Sequence, residues 1–283
     1  MELDLRSKKI QGRFLLPGSK SESNRLLILR ALYAPSLNLK KLSVSSDTKV
    51  LQKALKEYPK QTDINIGDAG TAMRFMTAFL ASRNEGRWVL DGSKRMRERP
   101  IGLLVEALKA LGATIDYLEK PNYPPLAIKG KTLSGGNIEI EAGISSQFIS
   151  ALMLIAPGLK DGLSLVMKGF SVSAPYIYLT GNLMRKMGFK VYILGDEVRI
   201  PGNQELYQSP REYTIEGDWS AASYWYSLVA LAPRAEVYLP GLHQFSLQGD
   251  SLVQQYYANL GVGSVFTGPG YRLRKTDLRA ARQ

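Results

Sequence analysis

The chain has 283 residues, 45% of them hydrophobic, enough to bury one large or two medium globular domains. It has no cysteine and a single histidine, His243, so disulfides, a thiolate nucleophile and a cysteine metal site are excluded and a Ser-His triad is disfavoured. Its 37 basic against 25 acidic residues give a net charge of +12, which favours an acidic partner without naming one.

The N-terminus, Met1-Glu2-Leu3-Asp4-Leu5-Arg6, carries acidic residues where a secretory signal needs a basic start and an apolar run, so a cytoplasmic protein is expected. Next comes Leu16-Pro17-Gly18-Ser19-Lys20-Ser21-Glu22-Ser23-Asn24-Arg25, leading into an apolar helix over residues 26–33. Small polar residues suited to capping precede helix candidates at Ser19-Lys20-Ser21, Gly70-Thr71, Ser145-Ser146, Ser171 to Ser173 and Asp218-Trp219-Ser220. Residues 105–115, 182–191 and 257–265 each read as a helix ending in Leu or Met, then a glycine, then a short strand. Gly112, Gly188 and Gly261 suit the left-handed position past a helix end. Their even spacing predicts a repeated mixed unit of helices and strands. The longest apolar stretch, residues 148–159, contains Ser150, Pro157 and Gly158 and is far short of the roughly 20 residues that span a bilayer, so no membrane partner is expected. Near the end, Arg272, Arg274, Lys275, Arg279 and Arg282 stand against Asp277. This reads as a solvated tail rather than a nucleic-acid surface.

Helix starts carry partial positive charge and unpaired N–H groups, so starts that converge form an anion site. In the first cluster Ser21 and Arg25 are one turn apart, with Lys20 approaching from the loop; the spacing of a Walker A loop is absent. Arginine offers a planar fork for carboxylate, lysine a point charge for phosphate. In the second, Gly67-Asp68-Ala69-Gly70-Thr71-Ala72-Met73-Arg74, Gly70 allows close backbone approach, and Arg74 either faces a ligand or pairs with Asp68. The third, Arg95-Met96-Arg97-Glu98-Arg99-Pro100-Ile101, places three arginines in a loop that Pro100 ends as a helix begins.

Residues 16–25, 67–74 and 97–101, Ser145-Ser146-Gln147-Phe148, Ser173-Ala174-Pro175-Tyr176-Ile177 and Glu216-Gly217-Asp218 resemble, in order and at similar spacing, the motifs of the 5-enolpyruvylshikimate-3-phosphate synthases. The likeness runs from about the N-terminus to residue 275, and its first motif is highly specific. It implies an α/β enolpyruvyl transferase fold: two domains of repeated βαβαββ units, like an inverse α/β barrel, with substrates between them. Residues 19–216 would form one complete domain holding most shikimate-3-phosphate contacts, and residues 1–18 and 217–283 part of a second, incomplete one. The implied reaction transfers the enolpyruvyl group of phosphoenolpyruvate to the 5-hydroxyl of shikimate-3-phosphate and releases phosphate.

Carried over by resemblance, Lys20, Ser21 and Arg25 hold shikimate-3-phosphate, with Lys20 also touching phosphoenolpyruvate as the catalytic residue of this set. Ser145, Ser146 and Ser173 take the shikimate phosphate, Gln147 lies between the substrates, and Tyr176 lines the shikimate pocket. Gly70 and Arg99 take phosphoenolpyruvate, and Thr71 and Arg74 complete the substrate-binding set. No cofactor or metal is implied, the partners are small anions rather than nucleic acid, and the complete protein is expected to be a monomer.

The sequence departs from the family at Asp68, where asparagine is usual and where a negative charge lowers anion affinity unless Arg74 neutralises it. Phe75 stands for a smaller residue and Ala174 for a frequent lysine. The family's aspartate base, lysine–glutamate pair and further cations fall in sequence beyond Gln283. The expectation is therefore a chain lacking its C-terminal part and unable to complete the reaction alone. Two alternatives share the fold: an enolpyruvyl transferase acting on UDP-N-acetylglucosamine, disfavoured by the absence of cysteine, and a basic RNA-end-processing or nucleic-acid-binding relative.

Overall fold

A computed structural model describes residues 9–141, 145–169, 174–206 and 210–276. In chain order these residues form β1 (Lys9–Arg13), α1 (Lys20–Tyr33), β2 (Asn38–Lys40), α2 (Ser46–Glu57), β3 (Asp63–Asn65), α3 (Gly70–Ala81) and β4 (Arg87–Asp91). Then come α4 (Lys94–Arg97), α5 (Gly102–Ala110), β5 (Thr114–Tyr117), β6 (Leu126–Lys129), β7 (Gly136–Glu141), α6 (Ser146–Ile155), β8 (Leu163–Lys168) and α7 (Ala174–Lys186). The remainder is β9 (Tyr192–Leu194), β10 (Glu197–Ile200), β11 (Glu212–Thr214), α8 (Trp219–Leu231), β12 (Arg234–Pro240), α9 (Val253–Ala258), β13 (Val262–Phe266) and β14 (Gly270–Lys275).

Three four-stranded sheets share one topology: β3-β4-β6-β5, β7-β8-β10-β9 and β1-β12-β14-β13. In each, the first pair is parallel and the other two pairings are antiparallel. A parallel pair needs a crossover, supplied by α3 and α6 in the first two sheets; an antiparallel hairpin closes each sheet, short at β9–β10 and β13–β14 and longer at β5–β6. This is the repeated βαβαββ unit that the sequence implies. The marker glycines lie just past its second helices α5, α7 and α9, with φ of 102° at Gly112, 100° at Gly188 and 76° at Gly261. A residue with a Cβ is strained there.

The chain divides into two compact units, one holding the described residues up to 19, residues 40–43 and those from 214 on, the other residues 20–39 and 44–213. No feature of the sequence marks 40–43 as part of the first unit. There, a Cβ on Gly18 would lie 1.8 Å from the Lys41 carbonyl oxygen, so the motif's glycine is required by this close approach.

The larger unit is centred on α1, α3 and α6, which pack on one another. Helix α3, Gly70-Thr71-Ala72-Met73-Arg74-Phe75-Met76-Thr77-Ala78-Phe79-Leu80-Ala81, is apolar on nearly every side, and all of its residues are buried. Each large apolar side chain so buried contributes about 1.5–3 kcal/mol, which pins the helix and therefore its N-terminal end. Helix α2 buries only Thr48, Leu51 and Ala54 and starts with Ser45 accepting from the Thr48 N–H. In the smaller unit β12 alternates strictly, turning Ala235, Val237 and Leu239 inward against Trp219, Tyr226, Tyr271 and Leu273. Phe14 and Trp225 stack there with ring centroids 3.9 Å apart.

Candidate functional site

A pocket of about 140 Å3 in the larger unit is lined by Lys20, Ser21, Asn24, Arg25, Thr71, Ser146, Gln147 and Tyr176. These residues lie in the first two turns of α1 and the first turns of α3, α6 and α7. Four helix starts therefore meet at one small cavity, where their partial positive charges add.

At its floor is Arg25, only 3% exposed. Its Nε donates to Thr180 Oγ1 at 2.6 Å, Nη1 to the Ser21 carbonyl at 3.0 Å, and Nη2 to Ser150 Oγ at 2.9 Å and the Tyr176 carbonyl at 3.4 Å. The guanidinium lies 5.6 Å from the Phe75 ring centroid and 5.9 Å from that of Tyr176. Every partner is neutral. Burial pushes its pKa down to about 10, partly opposed by Tyr176. A charge held in low dielectric by neutral groups, with no carboxylate among the residues lining the pocket, strongly favours an incoming anion. Exposed Lys20 adds a second cation at the rim.

Across the pocket, Gln147 Nε2 donates to Thr71 Oγ1 at 3.4 Å, linking the starts of α6 and α3. Ser146 lines the cavity, whereas Ser145 sits outside the lining and its hydroxyl caps α6 by accepting from the Gln147 N–H at 3.4 Å. Ser145 thus performs the capping that its place before a helix suggests, rather than lining the pocket. Ser173 lies outside the described residues.

Gly70, Arg74 and Arg99 form an adjoining cluster. A Cβ on Gly70 would be 2.4 Å from Arg99 Nη1, so the exposed Arg99 guanidinium rests directly on the first residue of α3. That helix has no side-chain cap, because Ala69 stands at the capping position and leaves the first N–H groups without one. Arg74 is buried and ties the loop together from beneath: Nη1 donates to the Gly70 carbonyl at 3.3 Å and contacts Met96 Sδ at 3.5 Å, and Nη2 donates to the Pro100 carbonyl at 3.1 Å. Burial, then the Arg99 charge, lowers its pKa to about 10. Arg74 therefore positions the Arg99 loop, and the Arg74–Asp68 pair weighed from sequence does not form; Asp68 accepts from the Ser93 hydroxyl instead. Arg97 is also taken: its Nε donates to Asp91 Oδ1 at 3.0 Å, and Nη1 pairs with Glu119. Those bonds raise its pKa, Asp91 first. Phe75 is buried beneath the Arg25 guanidinium.

Several residues of the site escaped sequence reasoning. Ser150 and Thr180, both fully buried, bond each other at 2.8 Å and hold Arg25. Asn24 lines the pocket, accepts from the Thr48 hydroxyl at 2.8 Å, and has no protein partner for Nδ2. A lone hydroxyl in a mid-helix apolar run is the available signal, because buried polar atoms require partners. In the smaller unit, Glu216 is a buried hub: Oε1 accepts from Trp219 Nε1 at 2.8 Å and the His243 N–H at 2.9 Å, and Oε2 from the Ser246 hydroxyl at 2.8 Å.

The family model described as EPSP synthase (3-phosphoshikimate 1-carboxyvinyltransferase) matches residues 56–279. A Bacteroides fragilis protein named 3-phosphoshikimate 1-carboxyvinyltransferase is 45% identical over 267 residues, covering 94% of this chain and 64% of that relative. A namesake from Aliivibrio fischeri is 38% identical over 297 residues, covering 96% of this chain and 69% of its own length. The EPSP synthase from Acinetobacter baumannii superposes with a TM-score of 0.74 at 18% identity, covering 95% of this chain and 66% of that one, a likeness of fold. The chain thus spans about 64% of the Bacteroides relative. These names do not favour the nucleotide-sugar or RNA-processing alternatives. With the first motif, the converging helix starts and these relatives in agreement, the chain belongs to the EPSP synthase family.

Proposed function

We propose that the pocket binds shikimate-3-phosphate and that the protein serves its enolpyruvyl transfer from phosphoenolpyruvate, with release of phosphate. The observation that carries this reading is Arg25, a buried guanidinium with neutral partners at the floor of a cavity formed by four helix starts. In this assignment Lys20, Ser21, Arg25 and Ser146 hold the phosphate and hydroxyls of shikimate-3-phosphate, and Tyr176 flanks its ring. Gln147, joined to Thr71, stands between the two substrates. Arg99 and the uncapped start of α3 at Gly70 and Thr71 receive phosphoenolpyruvate, with Arg74 fixing their loop from below.

The chemistry joins the 5-hydroxyl oxygen to the central carbon of phosphoenolpyruvate as its methylene carbon gains a proton. The tetrahedral adduct then loses phosphate and a proton from the new methyl group, restoring the double bond. Side-by-side binding of two phosphorylated carboxylates needs the cations gathered here to offset their repulsion.

Calorimetric titration of shikimate-3-phosphate into the chain tests the reading. Saturable one-to-one binding, weakened by added inorganic phosphate and absent in Arg25→Ala, is expected. Equal binding by both proteins rejects the assignment. RNA binding that falls steeply with salt, with no response to shikimate-3-phosphate, favours the nucleic-acid alternative.

A further inference from the structure

The pocket of Arg25 lies at the start of α3. At the far end of that helix, about 18 Å along its axis for 12 residues, is a second cavity of about 450 Å3. Parallel β3 and β4 begin at the same edge of their sheet, so the turns entering them from α2 and α3 lie side by side. Those two turns, residues 58–62 and 83–86, wall the cavity together with Arg87 and Trp88. Trp88 Nε1 donates to the Tyr58 carbonyl at 2.9 Å and fastens one turn to the other. A volume of this order is that of a site for a whole small molecule.

The lining is unbalanced in charge. It holds Lys60, Arg83 and Arg87 against one carboxylate, Glu85, and none of the three cations has an ion pair or a side-chain hydrogen bond among the described residues. By contrast, Arg97 and Arg199 of the same unit each hold a carboxylate. Arg83 is half-buried, its guanidinium lies 4.8 Å from the Phe79 ring centroid, and its Nε is a buried donor without a protein partner. Buried donors nearly always have an acceptor, so this atom singles the residue out. The ends of α2 and α3 bring partial negative charge to this edge and offset part of the excess, yet no carbonyl there accepts from these side chains.

We propose that this cavity is a second anion site and that it takes an organic phosphate monoester. Arg83 holds the phosphate, Arg87 and Lys60 complete its surroundings, and Tyr58 and Trp88 receive the organic group. Three cations against one carboxylate leave an excess of two positive charges. A phosphate monoester, with a charge of roughly −1.5 to −2, matches that excess better than a carboxylate does. Arginine adds a planar fork and lysine a point charge, the two donor forms that suit phosphate. The rings of Tyr58 and Trp88, centroids 6.2 Å apart, give carbon an apolar wall that inorganic phosphate leaves unused. The inference stands apart from the substrate assignment, because the cavity shares no residue with the pocket of Arg25.

Phenyl phosphate is the probe, read at the indole N–H of Trp88 in nitrogen–proton correlation spectra of the chain. There are three tryptophans, and Trp88→Phe identifies the signal. A saturable shift of that signal with a Kd of about 1 mM or below is expected, with about tenfold weaker binding in Arg83→Gln and no change in Arg25→Met. Inorganic phosphate is expected to compete more weakly than the ester binds. Glu85→Gln, at an exposed position, is expected to tighten binding about two- to threefold at low salt. No saturable shift, equal affinity in Arg83→Gln, or a Trp88 shift that disappears in Arg25→Met overturns the proposal. So does inorganic phosphate binding as tightly as the ester, which makes the cavity an adventitious ion site only. Should Arg83→Gln fail to fold, unchanged affinity in Glu85→Gln at low salt overturns it.

Discussion

Replacing Arg25 with methionine separates binding from stability. Burial lowers its pKa from the ordinary guanidinium value to about 10, which corresponds to about 3 kcal/mol held against the charged form. The unfolded chain binds the proton more readily, so stability rises with pH only above about pH 10 and is flat with respect to this group from pH 5 to 9. Methionine keeps most of the aliphatic packing, and Ser150 and Thr180 still bond each other at 2.8 Å, so neither hydroxyl is orphaned. The melting temperature of Arg25→Met is therefore expected to hold or to rise by up to about 6 °C. Loss of a buried charge-assisted contact costs about 2.7 kcal/mol of binding, or roughly 100-fold in Kd for shikimate-3-phosphate. Scanning calorimetry and titration calorimetry on the same preparation read both quantities. A variant that melts more than about 5 °C lower and binds within threefold of the parent would refute the reasoning, because Arg25 would then be a structural residue.

Gly70→Ala places a methyl group where Arg99 Nη1 now lies and is expected to displace that guanidinium, weakening phosphoenolpyruvate binding measured by titration while the melting temperature stays within about 2 °C. Asp68→Asn keeps an acceptor for the Ser93 hydroxyl but removes an exposed negative charge; anion affinity should rise about two- to fivefold at low salt and converge with the parent at high salt. Thr180→Val leaves Arg25 Nε without its 2.6 Å acceptor, and chemical denaturation should show a loss of about 1–3 kcal/mol.

Local signals in the sequence translated directly into structure. Ser145 and Asp218 cap α6 and α8, and the glycines at 112, 188 and 261 end their helices in the left-handed conformation. In both cases the determining chemistry lies within four residues along the chain. A repeated mixed unit of helices and strands was legible for the same reason, through helix ends at even spacing, while its βαβαββ order came from the family resemblance. Long-range partners were not: Arg25 meets Ser150 and Thr180 across 125 and 155 residues, and nothing near any of the three announces the others. The arginine loop shows the same limit. Arg97 and Arg99 look alike in sequence, yet Asp91 and Glu119 occupy the first, while the second lies on Gly70. Two similar cations, Arg97 at the end of α4 and Arg99 just after it, thus acquire different tasks from the tertiary placement of acidic residues.

The parallel pairing of β1 with β12, Lys9 opposite Arg234 through Arg13 opposite Tyr238, bears on how the polypeptide is made. Translation proceeds at roughly 5–20 residues per second, so the first strand leaves the ribosome roughly 10–45 s before its partner is synthesised. During that interval almost all of the larger unit emerges and has its own contacts to form. Strand β1 is thus synthesised well before it can be seated, and its wait is set by the length of chain inserted between the two strands.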